Sequence, residues 1–437
     1  MSKQSEKSAA DLIEAAAGVP AGITPDADTP NLLGKGQETS LRDHVMAYVR
    51  RVRGGEMGAL PAVAGLVVLM LIFTFASDFF LTERNMANLV TQAAALCTLG
   101  MALVFVLLLG EIDLSAGVTF GVAMSVFVRL TQPDGLSWPV ALLIALAIGL
   151  VIGLTIGFFV AKVGVPSFVV TLGLFLGLQG VILMIIGAGG TYRVIPPQIL
   201  AIQNSNMPRW AGWVLLLVVL AILLGVALWD RARRSQAGAP NPPMAAMIIK
   251  LVAIAAIGAL VVYFLNADRG TKTVPLRGVP IVVPIILAIL MIGTYVLDRT
   301  QFGRYLYAVG GNAEAARRAG VNVTLIKWAA FATCSVLSVI AGIFFVAKVG
   351  SVDPTTGRDI VLSGVAAAVV GGVSLFGGRG RLIHALIGAT VIATIINGLG
   401  LLNLPNGANL AVSGAVLIIA ATVDAISRKR SGGSVTV

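Results

Sequence analysis

Charge is scarce in this 437-residue chain: only 12% of its residues are Asp, Glu, Lys or Arg. A soluble protein of that size keeps roughly a quarter of its residues charged. With 57% hydrophobic residues and a mean hydropathy of +0.94, too little polar surface remains to cover a globule. The composition excludes a soluble protein and specifies an integral membrane one. Cysteine is nearly absent too; Cys97 and Cys334 both lie inside apolar runs, which excludes a disulfide framework. The two histidines, His44 and His384, have no metal-ligand spacing around them, so no metal or other cofactor is expected. The P-loop pattern Gly-x-x-x-x-Gly-Lys-Ser/Thr is missing; Gly34-Lys-Gly36 has neither its spacing nor its hydroxyl. No nucleotide hydrolysis is expected in this chain, and it is not read as an enzyme.

The net charge of +11 is not arranged as a nucleic-acid surface. Its basic residues flank apolar runs, which is topological information of the positive-inside kind. Residues 1–40 are polar, with Pro20, Pro25 and Pro30 and no apolar core of a secretory signal, and are expected to be a disordered cytoplasmic tail. Residues 41–58 alternate Leu41, Val45, Tyr48, Val49 and Val52 with four arginines, which suits a basic amphipathic segment on the inner leaflet.

A bilayer core of about 30 Å takes about 20 helical residues. Apolar runs at 59–77, 86–110, 114–130, 138–161, 165–189, 210–229, 244–266, 279–297, 328–347, 360–376, 382–401 and 408–426 give an all-α, polytopic bundle of ten to twelve membrane helices. Runs 114–130 and 360–376 are short and contain glycine, so either can be a half-helix. With both termini cytoplasmic, the basic clusters around residues 50–53, 231–234, 298–327, 379–381 and 428–430 share one side. The arginines and lysine at 269, 272 and 277 fall on the other. Residues 429–437 form a second cytoplasmic tail. Phe158-Phe-Val-Ala-Lys-Val-Gly164 recurs letter for letter at 344–350, on the opposite side of the bilayer in this scheme. An inverted repeat relating 138–189 to 328–376 is one reading of that echo.

One stretch breaks the apolar pattern: Gly110-Glu-Ile-Asp-Leu-Ser-Ala-Gly117. An ionisable group at bilayer depth costs at least about 2.5 kcal/mol, so Glu111 and Asp113 must face protein or water. Asp113 and Ser115 stand just before a helical run, where side-chain oxygens can cap exposed N–H groups. Capping of a half-helix beside a path is therefore expected of them, with Glu111 left as the path residue. A second polar stretch, 298–327, contains Asn312 as an N-cap, the helix formers Ala313–Ala319 and Gly320 as a C-cap. It predicts a two-turn, small-surfaced helix outside the membrane.

Four ordered stretches carry a family resemblance. Gly310-Gly-Asn-Ala-Glu-Ala-Ala-Arg-Arg-Ala-Gly-Val321 resembles the coupling-loop motif of ATP-binding-cassette sugar permeases of the ribose/xylose/arabinose type. Glu111-Ile-Asp-Leu-Ser115, Val165-Pro-Ser-Phe-Val-Val-Thr-Leu172 and Gly371-Gly-Val-Ser-Leu-Phe-Gly-Gly378 resemble its other blocks, over roughly 60–428. The Glu at 111 and the extra spans at 210–266 are closest to xylose permeases. Where relatives carry Glu-Leu-Asp before the late glycine block this chain has Val361-Leu-Ser363, and Ser413 aligns with their lysine in the last span. The two serines are thus expected to be neighbours, replacing an ion pair lost as a unit.

The resemblance implies a transmembrane permease domain at 59–428 in the cell inner membrane, with the coupling loop at 298–327 inside it. It also implies partners: a cytoplasmic ATP-binding subunit, an external sugar-binding protein, and a second permease chain, within membrane lipid. The coupling residues would be Gly310, Gly311, Asn312, Glu314, Ala315, Ala316, Arg317 and Gly320. Candidates for the translocation path or gate are Glu111, Asp113, Ser115, Asn88, Gln92, Thr171, Gln179 and Asn397. Aromatic residues make up only 6% of the chain, too few for a tight sugar site, so affinity is expected to reside in the binding protein. The alternatives are a proton-coupled sugar carrier, which would need a protonatable array where only Glu111, Asp113 and Lys250 stand out, and a member of the resembled family with a nucleoside or signalling-furanose cargo.

Overall fold

The computed structural model describes residues 58–194, 196–270 and 276–405, with scattered positions at 42, 46, 49, 50 and between 407 and 422. The expected 1–40 tail, most of 41–58, most of the span at 408–426, the 429–437 tail, His44, Lys272 and Ser413 lie outside the described residues. The proposed neighbourhood of Ser363 and Ser413 lies outside them with Ser413.

Helices dominate. Those with described bounds are, in chain order, α1 (Leu60–Ala76), α2 (Glu83–Leu107), α3 (Ala116–Leu130), α4 (Trp138–Gly157), α5 (Ser167–Ile186), α6 (Pro197–Asn204) and α7 (Arg209–Gln236). Then follow α8 (Met244–Asn266), α9 (Val282–Arg299), α10 (Gln301–Gly311), α11 (Ala313–Arg318), α12 (Val323–Val349), α13 (Ile360–Val370) and α14 (Leu382–Leu401). Two short strands, β1 (Tyr192–Arg193) and β2 (Ser351–Val352), pair antiparallel. Among the described residues eight helices are long and apolar enough to cross a membrane, and α1, α3 and α13 are shorter apolar helices. At 1.5 Å per residue α3 and α13 reach only about 22 and 16 Å, too short to span. Both runs singled out as half-helices in the sequence are short helices. The chain is a polytopic helical membrane protein.

The core is organised around α2, buried almost continuously from Ala93 to Leu109. It runs antiparallel to α12: Lys348 at the end of α12 reaches Asn88 and Thr91 near the start of α2, and Lys327 at the start of α12 reaches Glu111 just past the end of α2. Small residues permit the closest seam. Gly149, Gly153 and Gly157 lay one edge of α4 on α12, where a Cβ on Gly153 would stand 2.7 Å from the Ala332 Cα. In lipid, where apolar surface gains little by changing neighbours, such close backbone approach is a main source of helix affinity. By contrast α7 and α8 form a hairpin exposed along almost its whole length. It touches the core through Ala87, Val262, Leu265 and Val279.

The structure relocates the internal repeat. Both copies of Phe-Phe-Val-Ala-Lys-Val-Gly end a helix on a left-handed glycine, Gly164 (φ 85°) and Gly350 (φ 78°). The first copy, however, is wound as a π-helix, Phe158–Val163, and the second is ordinary α-helix. Packing instead relates α2, α3 and α4 to α12, α13 and α14, about 240 residues further on. Helix α2 packs on α14 as α12 packs on α4, and α2 on α13 as α12 on α3. Because α2 and α12 are antiparallel, this relation is inverted. The letter echo joins α4 to α12, which are packing partners and not equivalents.

Candidate functional site

Each long helix of that repeat ends in a backbone break leading to a half-helix. The first break begins where Gly110 (φ 75°) turns the chain out of α2. Its extended peptides are satisfied by the first turns of α5: Ile112 N donates to Ser167 Oγ at 3.3 Å, and Thr171 Oγ1 donates to Ile112 O at 3.3 Å. Non-helical backbone at membrane depth needs such partners, because lipid offers none. Asp113, 1% exposed, accepts from Ser115 N at 2.9 Å and from Ser115 Oγ at 2.6 Å. Ser115 is the N-cap of α3 but makes no cap bond itself. The carboxylate two residues upstream binds it and lies at the positive end of the half-helix.

The second break, Gly350-Ser-Val-Asp-Pro-Thr-Thr-Gly357, repeats the first at five of its eight positions. Gly110 matches Gly350, Ile112 Val352, Asp113 Asp353, Ser115 Thr355 and Gly117 Gly357. Its geometry repeats as well: Asp353 Oδ1 accepts from Thr355 N and from Thr355 Oγ1, each at 2.7 Å. Pairing with β1 pins its start, and Gln179 Nε2 donates to the Pro354 carbonyl. The two breaks touch at their equivalent glycines. A Cβ on Gly117 would stand 2.3 Å from Gly357 O, and one on Gly357 (φ 90°) 2.1 Å from Gly117 O. From this crossing α3 leads toward β1, where Arg129 lies over the Tyr192 ring, and α13 leads toward the opposite end.

Glu111 forms an ion pair with Lys327, the side chains being 17% and 22% exposed. The pair bridges the foot of the first break and the start of α12. The other path candidates divide. Thr171 and Gln179 reach one break each. Asn88 accepts from Lys348 Nζ at 2.9 Å at the far end of α2. Gln92 and Asn397 belong to a separate buried amide network, in which Asn397 Nδ2 donates to Asn85 Oδ1 at 3.0 Å and to Gln92 Oε1 at 3.2 Å. That network fastens α2 to α14 away from both breaks. Sequence reasoning missed Asp353, Thr355, Lys327 and Lys348. The Gly-x-Ile/Val-Asp-x-Ser/Thr-x-Gly spacing could have found the first two; no local signal marks the lysines.

At the Lys327 end, α10 packs on the bundle through Gly303, Leu306 and Val309, and α11 follows it with its outer face exposed. Asn312 Oδ1 accepts from Ala315 N at 2.9 Å, which starts α11 where the capping residue predicts, and Gly320 (φ 85°) ends it. Within α11 only Ala316 is buried. Gly311, Asn312, Glu314, Ala315 and Arg317 through Gly320 are exposed. Glu314 pairs with Arg318 at 3.1 Å as well as with Arg317 at 3.5 Å. Gly310 rests on the end of α2, just before the first break, so closely that a Cβ would lie 1.7 Å from Leu108 O, and Gly378 N donates to that same oxygen at 2.8 Å. Tyr307 adds a side-chain tie, its hydroxyl donating to Gly380 O at 2.8 Å. Burial pushes the phenol up to about 12, so it stays protonated. Loop, late glycine block and the end of α2 therefore meet backbone to backbone. The same end carries the basic residues around 231–234, since Asp230 pairs with Arg299 at 2.5 Å.

Residues 85–421 match the family described as "Branched-chain amino acid transport system / permease component". The chain belongs to this permease family. Among individual relatives, the "Xylose transport system permease protein XylH" of Escherichia coli (strain K12) is 34% identical over 374 residues, 84% of this chain and 92% of the relative. The Haemophilus influenzae protein of the same name is 32% identical over 369 residues, 84% of this chain and 95% of that one. The "Ribose import permease protein RbsC" of E. coli K12 is 29% identical over 362 residues, covering 83% and 92%. No solved structure matches the chain. The resemblance to sugar permeases of the xylose type, drawn from four short stretches, thus extends over most of the permease.

Proposed function

We propose that this permease is the membrane-spanning subunit of an ATP-driven importer in the cell inner membrane, carrying D-xylose or a related pentose delivered by an external binding protein. Two copies of the chain would enclose the path, and separate cytoplasmic subunits would hydrolyse ATP. The termini and the 298–327 segment are cytoplasmic in this reading. The observation that carries it is the exposed outer face of α11, held on the bundle by α10. This firmly capped helix suits insertion into a cleft of another protein, and the Gly310 contact just before the first break suits transmission of a push. The two half-helices, whose N-termini meet beside Gly117 and Gly357, are the proposed gate, resembling the broken helices that place transport sites near mid-bilayer. Glu111 and Lys327 sit at its inner foot; Asp113, Ser115 and Thr171 shape it. Asn88 belongs to the outer mouth, whereas Gln92 and Asn397 hold helices together.

The role of this face is testable without disturbing the fold. Gly311 has open space around the position of a Cβ, and Glu314 is exposed. Gly311→Trp and Glu314→Arg are expected to leave expression and melting temperature unchanged while reducing sugar uptake at least about tenfold. ATPase stimulation by the loaded binding protein, measured in the assembled complex, should fall with it. Normal uptake in both variants would remove the coupling assignment.

A further inference from the structure

Opposite the α10–α11 end, a cleft of about 420 Å³ opens among the start of α2, the end of α12, α6 and the loop after α8. Among the described residues its wall carries three cations, Arg84, Arg269 and Lys348, with four side-chain amides, Asn88 and Gln203 among them, and no carboxylate. Arg269 is 8% exposed. Its Nη2 donates to Gly278 O at 2.7 Å, but Nε and Nη1 have no partner among the described residues. The adjacent carboxylate is committed elsewhere: Asp268 accepts from Gly270 N at 3.1 Å, Leu276 N at 3.2 Å and Arg277 Nε at 2.7 Å. Gln203, 4% exposed, donates to Phe344 O at 3.1 Å and leaves its Oε1 unpartnered. Lys348 donates to Asn88 and Thr91 and has a third N–H to spare.

A buried guanidinium with idle N–H groups is costly unless something accepts from it. Three cations on one wall, with no carboxylate among the described lining residues, suit an oxyanion with several acceptor oxygens better than a single carboxylate. The cleft is larger than bare phosphate requires, and the idle Gln203 oxygen can accept from a hydroxyl. We propose that this cleft is an oxyanion site that binds a phosphate carried on a small hydroxylated body. The phosphate can come from an anionic phospholipid headgroup or from a soluble phosphate ester.

The test uses the full-length protein, purified and delipidated in neutral detergent. Melting temperature and native mass spectra are recorded with sodium phosphate against chloride at equal ionic strength, with glycerol 3-phosphate, and with phosphatidylglycerol against phosphatidylcholine. At least one phosphate probe, glycerol 3-phosphate or phosphatidylglycerol, is expected to stabilise the wild type. Its apparent Kd should rise about tenfold or more in Arg269→Gln, but not in Arg234→Gln, an exposed arginine at the other end. Should Arg269→Gln fail to fold, Lys348→Gln supplies the same comparison. A response to glycerol 3-phosphate identifies a soluble ester as a source, and one confined to phosphatidylglycerol identifies lipid; both support the site. Equal stabilisation by chloride or phosphatidylcholine, no stabilisation by any probe, or binding unchanged in the cleft variants would overturn it.

Discussion

Gly117→Val is expected to prevent assembly of the folded permease. The smallest side chain at this position places its Cβ 2.3 Å from Gly357 O and 2.9 Å from the Val361 Cβ. Overpacking a core by a methylene or two costs about 1–3 kcal/mol where side chains can shift. Here the obstacle is the backbone of the opposite break, itself pinned by β1 and by Gln179, so about 3 kcal/mol or more is expected. Changing Gly357 cannot relieve it, since that residue has φ 90° and would direct its own Cβ at Gly117 O. The matched control is Gly177→Ala, on the open face of α5, where nothing lies within 4 Å of the new atom. That change should be neutral or stabilise the helix by about 1 kcal/mol. Yield of monodisperse protein and melting temperature distinguish the two. A Gly117→Val protein that melts like wild type would mean that the breaks do not cross there.

The second large effect concerns Glu111 and Lys327. Lys327→Met leaves a mostly buried carboxylate without its partner, and breaking such a pair from one side costs about 3 kcal/mol. Replacing both, Glu111→Gln with Lys327→Met, removes the stranded charge and should recover most of the loss. A double-mutant cycle on thermal or denaturant stability is expected to give a coupling of about 1 kcal/mol or more. If the pair also serves as the inner foot of the gate, the double variant will fold well yet leak sugar without ATP. A coupling near zero would show the contact to be incidental.

These expectations depend on features with unequal traces in the sequence. The first break was legible because Glu111 and Asp113 interrupt apolar runs, and a charge at bilayer depth demands explanation. Helix α11 was legible because Asn312 and Gly320 are local signals. Asp353 lies in a stretch that reads as an ordinary polar loop between spans, and its equivalence to Asp113 appears only when the two eight-residue segments are set side by side. Lys327 resembled one more flanking charge. Hydropathy marks α2, α7 and α8 alike as spans, and separates them only in degree: the almost wholly buried α2 is less apolar than the almost wholly exposed hairpin. A long apolar run marks interior and exterior helices alike, so the packing itself must be read from small residues. The glycines of α4 were that signal, while the seven-letter echo at 158 and 344 was a distraction from the repeat.

Reconstitution tests the central claim most directly. Vesicles holding the permease alone, the permease with its ATP-binding subunits, and the complete set with external binding protein would be given radiolabelled D-xylose, with and without internal ATP and a proton gradient. Accumulation is predicted only in the complete set with ATP, independent of the proton gradient. Accumulation by the permease alone, driven by the gradient, would contradict the account.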